Sequence, residues 1–383
     1  MKHYICMIFF MLLFSILGGC ETKKTKEEKY LKISIDPGKV AISPISDFYS
    51  SIEIIPLETT NESIFGTSYK ILLYNDKFYV LDLKQHAIFI FKSTGEYVSN
   101  TSCLRGSGPE QYRSITDFDI HQDSGIIDIL DPYAQRIMRY DENFCFKEVV
   151  KLPEKLLPLR SFKAINEYVY LFYSKSSNKK NSGVFLYNKR EDKTVKQLLS
   201  LPEKVNDLIT VERHPFMKFN GDVYFTPTFP NNEVYLFCEE SLTLEKVLEY
   251  DFGKYTFRCD DLLENKPPTY YREFVSNNNN KYAFILNKKE NINFLFTFFI
   301  LNGDLYVAKT SKKTNLTQVI SGIFAQKEAL MLPQIIDNNY FYFAIEPEYI
   351  NEVVNIELLD KKMKEPLSND CNMVILKCQI ADK

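Results

Sequence analysis

Tryptophan is absent from this 383-residue chain, and histidine and glycine are scarce, with 4 and 13 copies. Beyond His3 the histidines are His86, His121 and His214, and their spacing matches neither a metal-binding pair nor a Ser-His-acid triad. No Cys-x-x-Cys pair occurs either, which argues against a zinc site of that kind. We therefore expect no cofactor, and the enzyme interpretation is weak.

Cysteine spacing predicts no disulfide framework. Two of the eight cysteines, Cys6 and Cys20, fall in a targeting segment described below. The other six are Cys103, Cys145, Cys238, Cys259, Cys371 and Cys378. An exported protein can oxidise some of these thiols, but the sequence does not choose a pairing. We interpret most of them as small buried side chains in strands.

Charge of one sign is not concentrated anywhere in the chain. The formal net charge is −3, and no basic stripe of the kind that binds phosphate backbones is present, so we expect no nucleic-acid partner. The 30 phenylalanines and 25 tyrosines favour β-strands. Because sugar rings usually stack on aromatic side chains, a glycan ligand would have to use tyrosines such as Tyr112, Tyr133 or Tyr270.

The N-terminus has the pattern of a secretory signal. Lys2 precedes an apolar run at residues 4–17, which is shorter than the ~20 residues of a transmembrane helix. The run ends in Leu17-Gly18-Gly19-Cys20, the pattern of a bacterial lipobox. We predict a lipoprotein signal peptide at 1–19, lipidation of Cys20, and a polar tether and lead-in at 20–50. An ordinary signal peptide with a chance cysteine is the alternative.

One short strand, preceded by a polar turn, recurs six times. Asn, Asp and Gly in these turns tolerate the left-handed backbone that tight hairpins require. The six strands are FYVLD (78–82), IDILD (127–131), VYLFY (169–173), VYFTP (223–227), LYVAK (305–309) and FYFAI (341–345). Apolar strands flank most of them, which gives four antiparallel strands per unit at a period of roughly 40–50 residues.

This period predicts an all-β fold, a six-bladed β-propeller of four-stranded antiparallel blades, over residues 51–383. The segment SIEIIPL (51–57) is expected to close the ring as the last strand of the sixth blade. The fifth unit is expected to start late, at residues 294–301, after an intervening stretch at 254–292. Helical spacing at 347–364 predicts a short helical insertion in the last blade. Two stacked sandwiches are the alternative architecture.

Four segments carry a family resemblance: IPLETT (55–60), YNDKFYVLD (74–82), RGSGPEQY with TDFDI (105–120), and NMVILK (372–377). On these the chain resembles the six-bladed β-propeller lipoproteins of Bacteroidetes, which are similar to NHL-repeat propellers and largely lack an assigned activity. The resemblance implies the propeller fold and export to the cell envelope.

The glycine-bearing loop at 105–114 contains several candidate binding residues. Blade-to-blade loops of a propeller lie around the channel on the face that usually binds ligands. Our candidates on this face are Arg105, Glu110, Tyr112, Arg113, Tyr133, Arg160 and His214. The alternative, which we favour for the loop itself, is that its glycines and Pro109 only make the turn between blades.

Asp117 and Asp119 alternate with apolar residues and so point to the same side of an inner strand. Such a pair can bind Ca²⁺ or transfer protons, which makes these residues weak metal candidates. More often such acids accept hydrogen bonds from a neighbouring blade. We therefore predict no metal site.

The leading functional hypothesis is a lipid-anchored binding or scaffold module, with no catalysis, in the cell envelope. Its expected partners are the membrane, through the lipid on Cys20, and a protein, peptide or glycan at the channel face. We expect a monomer on the outer membrane. The alternative is a metal-dependent propeller hydrolase or lyase acting on an extracytoplasmic carbohydrate or lactone.

Overall fold

The computed structural model describes residues 30–41, 48–156, 159–174, 182–191, 194–200, 214–227, 232–258, 261, 266, 268–278, 280–321, 332–350 and 371–381. Within these ranges the strands form six sheets, each built on four antiparallel strands that make one propeller blade; a further parallel strand extends two of the sheets. The predicted six-bladed β-propeller is thereby confirmed. The signal peptide, Cys20 and the start of the tether lie outside the described residues.

Three strands, β1 (Leu31–Ser34), β2 (Val40–Ala41) and β3 (Tyr49–Pro56), precede blade 1. Blade 1 consists of β4 (Ser68–Tyr74), β5 (Lys77–Asp82), β6 (Ala87–Lys92) and β7 (Tyr97–Asn100). Blade 2 consists of β8 (Asp117–Ile120), β9 (Ile127–Asp131), β10 (Arg136–Tyr140) and β11 (Phe146–Lys151). Blade 3 consists of β12 (Leu159–Ala164), β13 (Val169–Ser174), β14 (Gly183–Asn188) and β15 (Thr194–Ser200).

Blade 4 consists of β16 (Phe216–Phe219), β17 (Asp222–Phe225), β18 (Glu233–Cys238) and β19 (Thr243–Asp251). Helix α1 (Pro268–Asn277) follows it. Blade 5 consists of β20 (Phe284–Glu290), β21 (Phe294–Leu301), β22 (Asp304–Ser311) and β23 (Thr317–Ser321). Blade 6 consists of β24 (Ile335–Ile336), β25 (Tyr340–Ile345), β26 (Val374–Ile380) and β3. Short 3₁₀ turns lie at Pro37–Lys39, Ser102–Leu104, Glu154–Leu156, Gly253–Tyr255 and Pro347–Tyr349.

The recurring strand motif is buried because each blade packs between two others. All residues of β9 and β13, and all but the first of β5, are buried. A short apolar run is what a strand covered on both faces requires. The turns before β5 and β17 contain Asn75, Asp76, Asn220 and Gly221, all at positive φ, as the hairpin interpretation predicts.

The N-terminal strand closes the ring, as predicted. β3 pairs antiparallel with β26 along its length, for example Ile54 with Leu376 and Ile52 with Cys378. Tyr49 and Ile52 are fully buried in the core between blades 5 and 6. Because the last blade takes its outer strand from the start of the chain, neither end of the propeller leaves an open sheet.

The lead-in before β3 contributes two further strands that the sequence interpretation did not assign. β1 pairs in parallel with β19 on the outer edge of blade 4, and β2 pairs in parallel with β23 on blade 5. Ile33 and Ile35 are buried between these two blades, and Lys32 forms an ion pair with Asp251 at 3.1 Å. Strands β1, β2 and β3 therefore lie on the outer edges of three blades.

The expected start of blade 5 was wrong by one strand. Its first strand is β20, inside the stretch that we had treated as intervening, and β21 is its second strand. The turn at Asn302-Gly303 consequently joins the second and third strands. The expected insertion in blade 6 begins with the 3₁₀ turn at Pro347–Tyr349, and residues 351–370 lie outside the described residues.

Candidate functional site

The first strands of all six blades surround one central cavity. This channel has a volume of about 870 Å³ and is bordered by β4, β8, β12, β16, β20 and β24. Cavities of roughly 300–1,000 Å³ are typical of small-ligand sites. The channel is therefore large enough to take a ligand without rearrangement of the blades.

The channel wall differs from one side to the other. Blades 2 and 3 contribute mainly polar side chains, namely Asp119, Gln122, Asp123, Ser161, Lys163 and Asn166. Apolar side chains come mainly from the other four blades, among them Ile71, Leu73, Phe216, Leu286, Ile335 and Ile336. These four blades also contribute charged side chains, among them Lys218, Lys289, Glu239 and Glu290. A ligand in the channel would therefore contact a polar surface at blades 2 and 3 and a mixed apolar and charged surface at the other blades.

The two inner-strand acids join neighbouring blades. Both are buried, and Asp117 accepts hydrogen bonds from Lys70 Nζ at 2.7 Å and from the Phe162 amide at 3.0 Å. Asp119 accepts hydrogen bonds from Lys163 Nζ at 2.7 Å and from the Ala164 amide at 2.9 Å. This is the inter-blade role that the sequence favoured over metal binding.

Burial raises the pKa of Asp117, and the nearby Lys70 ammonium and Phe162 amide act in the opposite direction. In the part of the chain that the structure describes, no group of three or more His, Cys, Asp or Glu side chains could hold a metal ion. The oxygens of Asp117 and Asp119 are instead directed at protein donors.

His214 lies across one end of the channel. Its Nε2 is 3.1 Å from the carbonyl oxygen of Tyr69, and the two rings meet edge to face with centroids 5.0 Å apart. Its Nδ1 is 3.8 Å from Asp117 Oδ1. His214 precedes blade 4 and Tyr69 belongs to blade 1, so the histidine connects blades that are not neighbours.

Lys218 on β16 borders the channel near its other end. The side chain is half-buried, and among the described residues no hydrogen bond or ion pair to it is found. Lys289 on β20 donates to the carbonyl oxygen of Gln334 at 3.1 Å. The channel thus contains ammonium groups besides the two that are paired with Asp117 and Asp119.

A second cavity of about 560 Å³ lies between the ends of blades 2 and 3. It shares Gln122, Asp123, Lys163, Asn166 and Lys218 with the channel wall. Because these residues border both spaces, the channel and the cleft meet at this point, which we call the junction.

The loop residues predicted as candidates are placed around blades 1 and 2. Arg105, Glu110 and Arg113 are exposed. Arg105 Nη1 donates to the carbonyl of Gln85 at 3.4 Å, and the carbonyl of Glu110 accepts from the hydroxyl of Tyr140 at 2.8 Å. The amide of Arg113 donates to Asp131 Oδ2 at 2.8 Å.

Tyr112 is buried completely, in contrast to its neighbours in the loop. Its hydroxyl lies 2.8 Å from that of Thr101 and 2.9 Å from the carbonyl of His86. Burial raises the pKa of Tyr112 to about 12. The side chain therefore stabilises the loop and presents no surface to a ligand.

Tyr133 is 81% exposed. The side chain of Arg160 lies outside the described residues. Of the candidates whose side chains are described, His214 alone borders the channel.

Sequence reasoning missed three lysines of the inner strands, Lys70, Lys163 and Lys218. Each lies in a short, mostly apolar strand (KILLY, SFKA, FMKF). A single lysine in such a strand indicates a polar group that faces a cavity or a partner blade.

Comparison with known proteins identifies a family and a fold. The model of DUF4934, a domain of unknown function, matches residues 34–379. A crystal structure of a Bacteroides fragilis protein described as exported superposes with a TM-score of 0.70 at 16% identity, covering 92% of this chain and all of that one. A DUF4221 family member from Bacteroides vulgatus superposes with a TM-score of 0.52 at 10% identity, covering 87% of this chain and 97% of that one.

These structural similarities concern the fold. No curated protein sequence matches the chain. In the described residues, no helix is long and apolar enough to cross a membrane.

Proposed function

The chain belongs to the DUF4934 family, and we propose that it is an exported, lipid-anchored binding protein whose ligand occupies the central channel. The observation that carries this proposal is the cavity of about 870 Å³ that all six innermost strands surround. A rigid ring with an open interior and a mixed polar and apolar wall has the properties of a binding site.

Binding is favoured over catalysis by the state of the two inner-strand acids of blade 2. General acid–base catalysis needs a carboxyl group that can exchange a proton with a substrate. Asp117 and Asp119 each accept bonds from a lysine and from a backbone amide, which occupies both oxygens of each carboxylate. The alternative, a metal-dependent hydrolase or lyase, would need a metal site in the channel. Under the binding proposal, added Ca²⁺ is expected to leave the melting temperature unchanged.

Export and anchoring are supported by the apolar run at 4–17 and by Leu17-Gly18-Gly19-Cys20. The structural relative from Bacteroides fragilis, described as exported, is consistent with this location. We propose a site on the outer membrane and a protein, peptide or glycan as the source of the ligand. The propeller itself is proposed to be a monomer.

The test compares a variant whose channel is partly filled by a tryptophan with a variant that carries the same substitution on the rim. Met217→Trp places a large side chain in the channel wall, and Val98→Trp places the same side chain on an exposed outer strand. Binding is measured by retention of envelope proteins and by a glycan array. Loss of the retained ligand with Met217→Trp, and retention with Val98→Trp, is the expected result. Equal retention by both variants would show that the channel is not the site.

A further inference from the structure

The junction between the channel and the cleft contains an ammonium group that forms no ion pair with any acid in the described part of the chain. Lys218 borders both spaces, and within the described residues no ion pair to it is formed. A half-buried ammonium without a counter-ion is a site where a ligand anion gains a charge-assisted hydrogen bond. We propose that the channel ligand carries a carboxylate and that Lys218 binds it. This inference rests on the proposed function.

Other lysines near the channel are already engaged, and Lys289, which borders the channel but not the cleft, donates to the carbonyl oxygen of Gln334 at 3.1 Å. Lys163 lines both spaces but is 2.7 Å from Asp119, and Lys70 is 2.7 Å from Asp117. Lys312 at the end of β22 is 2.5 Å from Glu290. These pairs are neutral overall, so their contribution to the potential in the channel is small compared with that of Lys218.

One acid, Asp123, also borders the junction. It lies in the exposed turn after β8, where solvent screens its charge, and it forms no ion pair with Lys218. Lys218 is half-buried and is screened less. An incoming carboxylate can therefore reach the ammonium without competing against a bound acid.

The neutral groups at the junction also favour an anion. The side-chain Oδ1 of Asn166 accepts hydrogen bonds from the amides of Tyr168 and Val169, at 2.9 and 3.0 Å. With its oxygen occupied, Asn166 offers the junction only its N–H donors. Gln122, which is exposed, adds a second amide whose orientation is free to adjust. Lys218, Asn166 and Gln122 together offer N–H donors to an anion at the junction.

The remainder of the ligand is defined by the opposite wall. Ile71 and Leu73 on blade 1 and Ile335 on the adjacent blade 6 offer apolar contact in the part of the ring opposite Lys218 on blade 4. A carboxylate attached to a body with an apolar face fits this arrangement. Both an acidic sugar and an apolar carboxylic acid have that chemistry, and the experiment distinguishes them.

The experiment measures binding to the full chain, purified in detergent, by isothermal titration calorimetry. One arm uses trigalacturonate and its methyl ester, and the other uses octanoate and octanol. The expected result is that one carboxylate binds about tenfold or more tightly than its neutral partner, since a charge-assisted bond contributes roughly 1.5–3 kcal/mol. Lys218→Gln removes this preference, Lys218→Arg retains it, and Lys377→Gln on the rim leaves binding unchanged.

Four outcomes contradict the inference, and the last also contradicts the proposed function. If acid and neutral forms bind equally and Met217→Trp abolishes both, the channel binds ligands but not through a carboxylate, and the proposed function survives. If Lys218→Gln binds as the wild type does, another group holds the anion. If neither carboxylate binds while Met217→Trp still abolishes capture of a native ligand, the channel binds another chemistry. If Met217→Trp also leaves that capture intact, the proposed function fails as well.

Discussion

Arg139 and Asp128 form a two-point ion pair inside the wall between blades 2 and 3. Arg139 Nε lies 2.8 Å from Asp128 Oδ1, and Nη2 lies 3.1 Å from Oδ2, with both side chains buried. His121 Nε2 is 2.8 Å from the same carboxylate, and Tyr170 and Glu148 also contact the guanidinium. The pair belongs to a network that joins strands β9, β10, β11 and β13.

Asp128→Asn is expected to lower the free energy of unfolding by about 3 kcal/mol, because it leaves a buried guanidinium without its main counter-ion. Urea unfolding followed by circular dichroism measures the change. Asp141→Asn is the matched control, since Asp141 pairs with Lys147 on the surface and its loss should change the unfolding midpoint very little. Equal effects of the two variants would contradict a structural role for the buried pair.

The same pair predicts how stability changes with pH. Burial acts to raise the pKa of Asp128, but hydrogen bonds from His121 and Arg139 outweigh it and hold the pKa below its usual range. A depressed folded-state pKa contributes stability above the unfolded value of about 3.9 and loses it as the pH falls below that value. Asp128→Asn should therefore lose less stability than the wild type between pH 5 and pH 3.

Lys70→Met is expected to destabilise the propeller by about 3 kcal/mol, because Asp117 would remain buried without its ammonium partner. The double variant Lys70→Met/Asp117→Asn should recover at least about 1 kcal/mol of this loss, measured as the coupling energy of a double-mutant cycle. Lys377→Met, whose partner Glu53 is exposed, provides the comparison. A coupling energy near zero would mean that the two residues do not act as a pair.

Tyr112→Phe separates a structural from a binding role for the loop at 105–114. The variant loses the hydroxyl contacts to Thr101 and His86 and should be destabilised by about 1 kcal/mol. Ligand capture should remain that of the wild type. Arg105→Ala/Arg113→Ala, at two exposed positions, should leave the thermal midpoint unchanged, and any loss of capture in that variant would locate the site on the loop instead of in the channel.

Ile33→Ala tests whether the rim strand β1 is part of the folded propeller. Ile33 is buried between blades 4 and 5, so its truncation should cost about 3 kcal/mol. Lys39→Ala, at an exposed position in the same segment, is the control. Differential scanning calorimetry gives both midpoints, and an unchanged midpoint for Ile33→Ala would mean that β1 detaches without consequence.

Cys20→Ser tests the predicted anchor. If the thiol carries the lipid, the wild-type chain enters the detergent phase of a Triton X-114 partition and the variant stays in the aqueous phase or retains its signal peptide. The mature mass gives a second measurement, since lipidation adds the mass of acyl chains at Cys20. If the wild-type chain stays in the aqueous phase, the prediction of a lipid anchor on Cys20 is wrong.

Local patterns predicted the blades because each blade is built from short-range pairings. Asn75-Asp76 and Asn220-Gly221 make hairpin turns at positive φ, and the apolar runs after them are buried strands. The closing strand β3 was predictable because the sixth unit has only three strands of its own and the segment at 51–57 belonged to no other blade. The turn at Asn302-Gly303 was equally clear, but a hairpin signal does not tell which two strands of a blade it joins. Because β20 contains three consecutive polar residues, Asn287, Lys288 and Lys289, the sequence did not predict it as a strand, and the first strand of the fifth blade was misassigned.

The candidate site was less predictable than the fold. Lys70, Asp117, Lys163 and His214 come from four blades, and only ring closure brings them to one channel. The parallel pairing of β1 with β19 joins segments more than 200 residues apart, and its four-residue pattern LKIS does not differ from that of a tether.

The recurring polar turns and apolar strands by themselves determined an all-β propeller, because strand pattern and turn chemistry are local. Which charges are paired was decided by the tertiary structure alone. Asp117 and Asp119 are adjacent acids in the sequence, and they became inter-blade acceptors because Lys70 and Lys163 reach them from the neighbouring blades. Lys218 has the same local pattern as those lysines, and only its place at the junction, where it forms no ion pair among the described residues, makes it a candidate for binding a ligand.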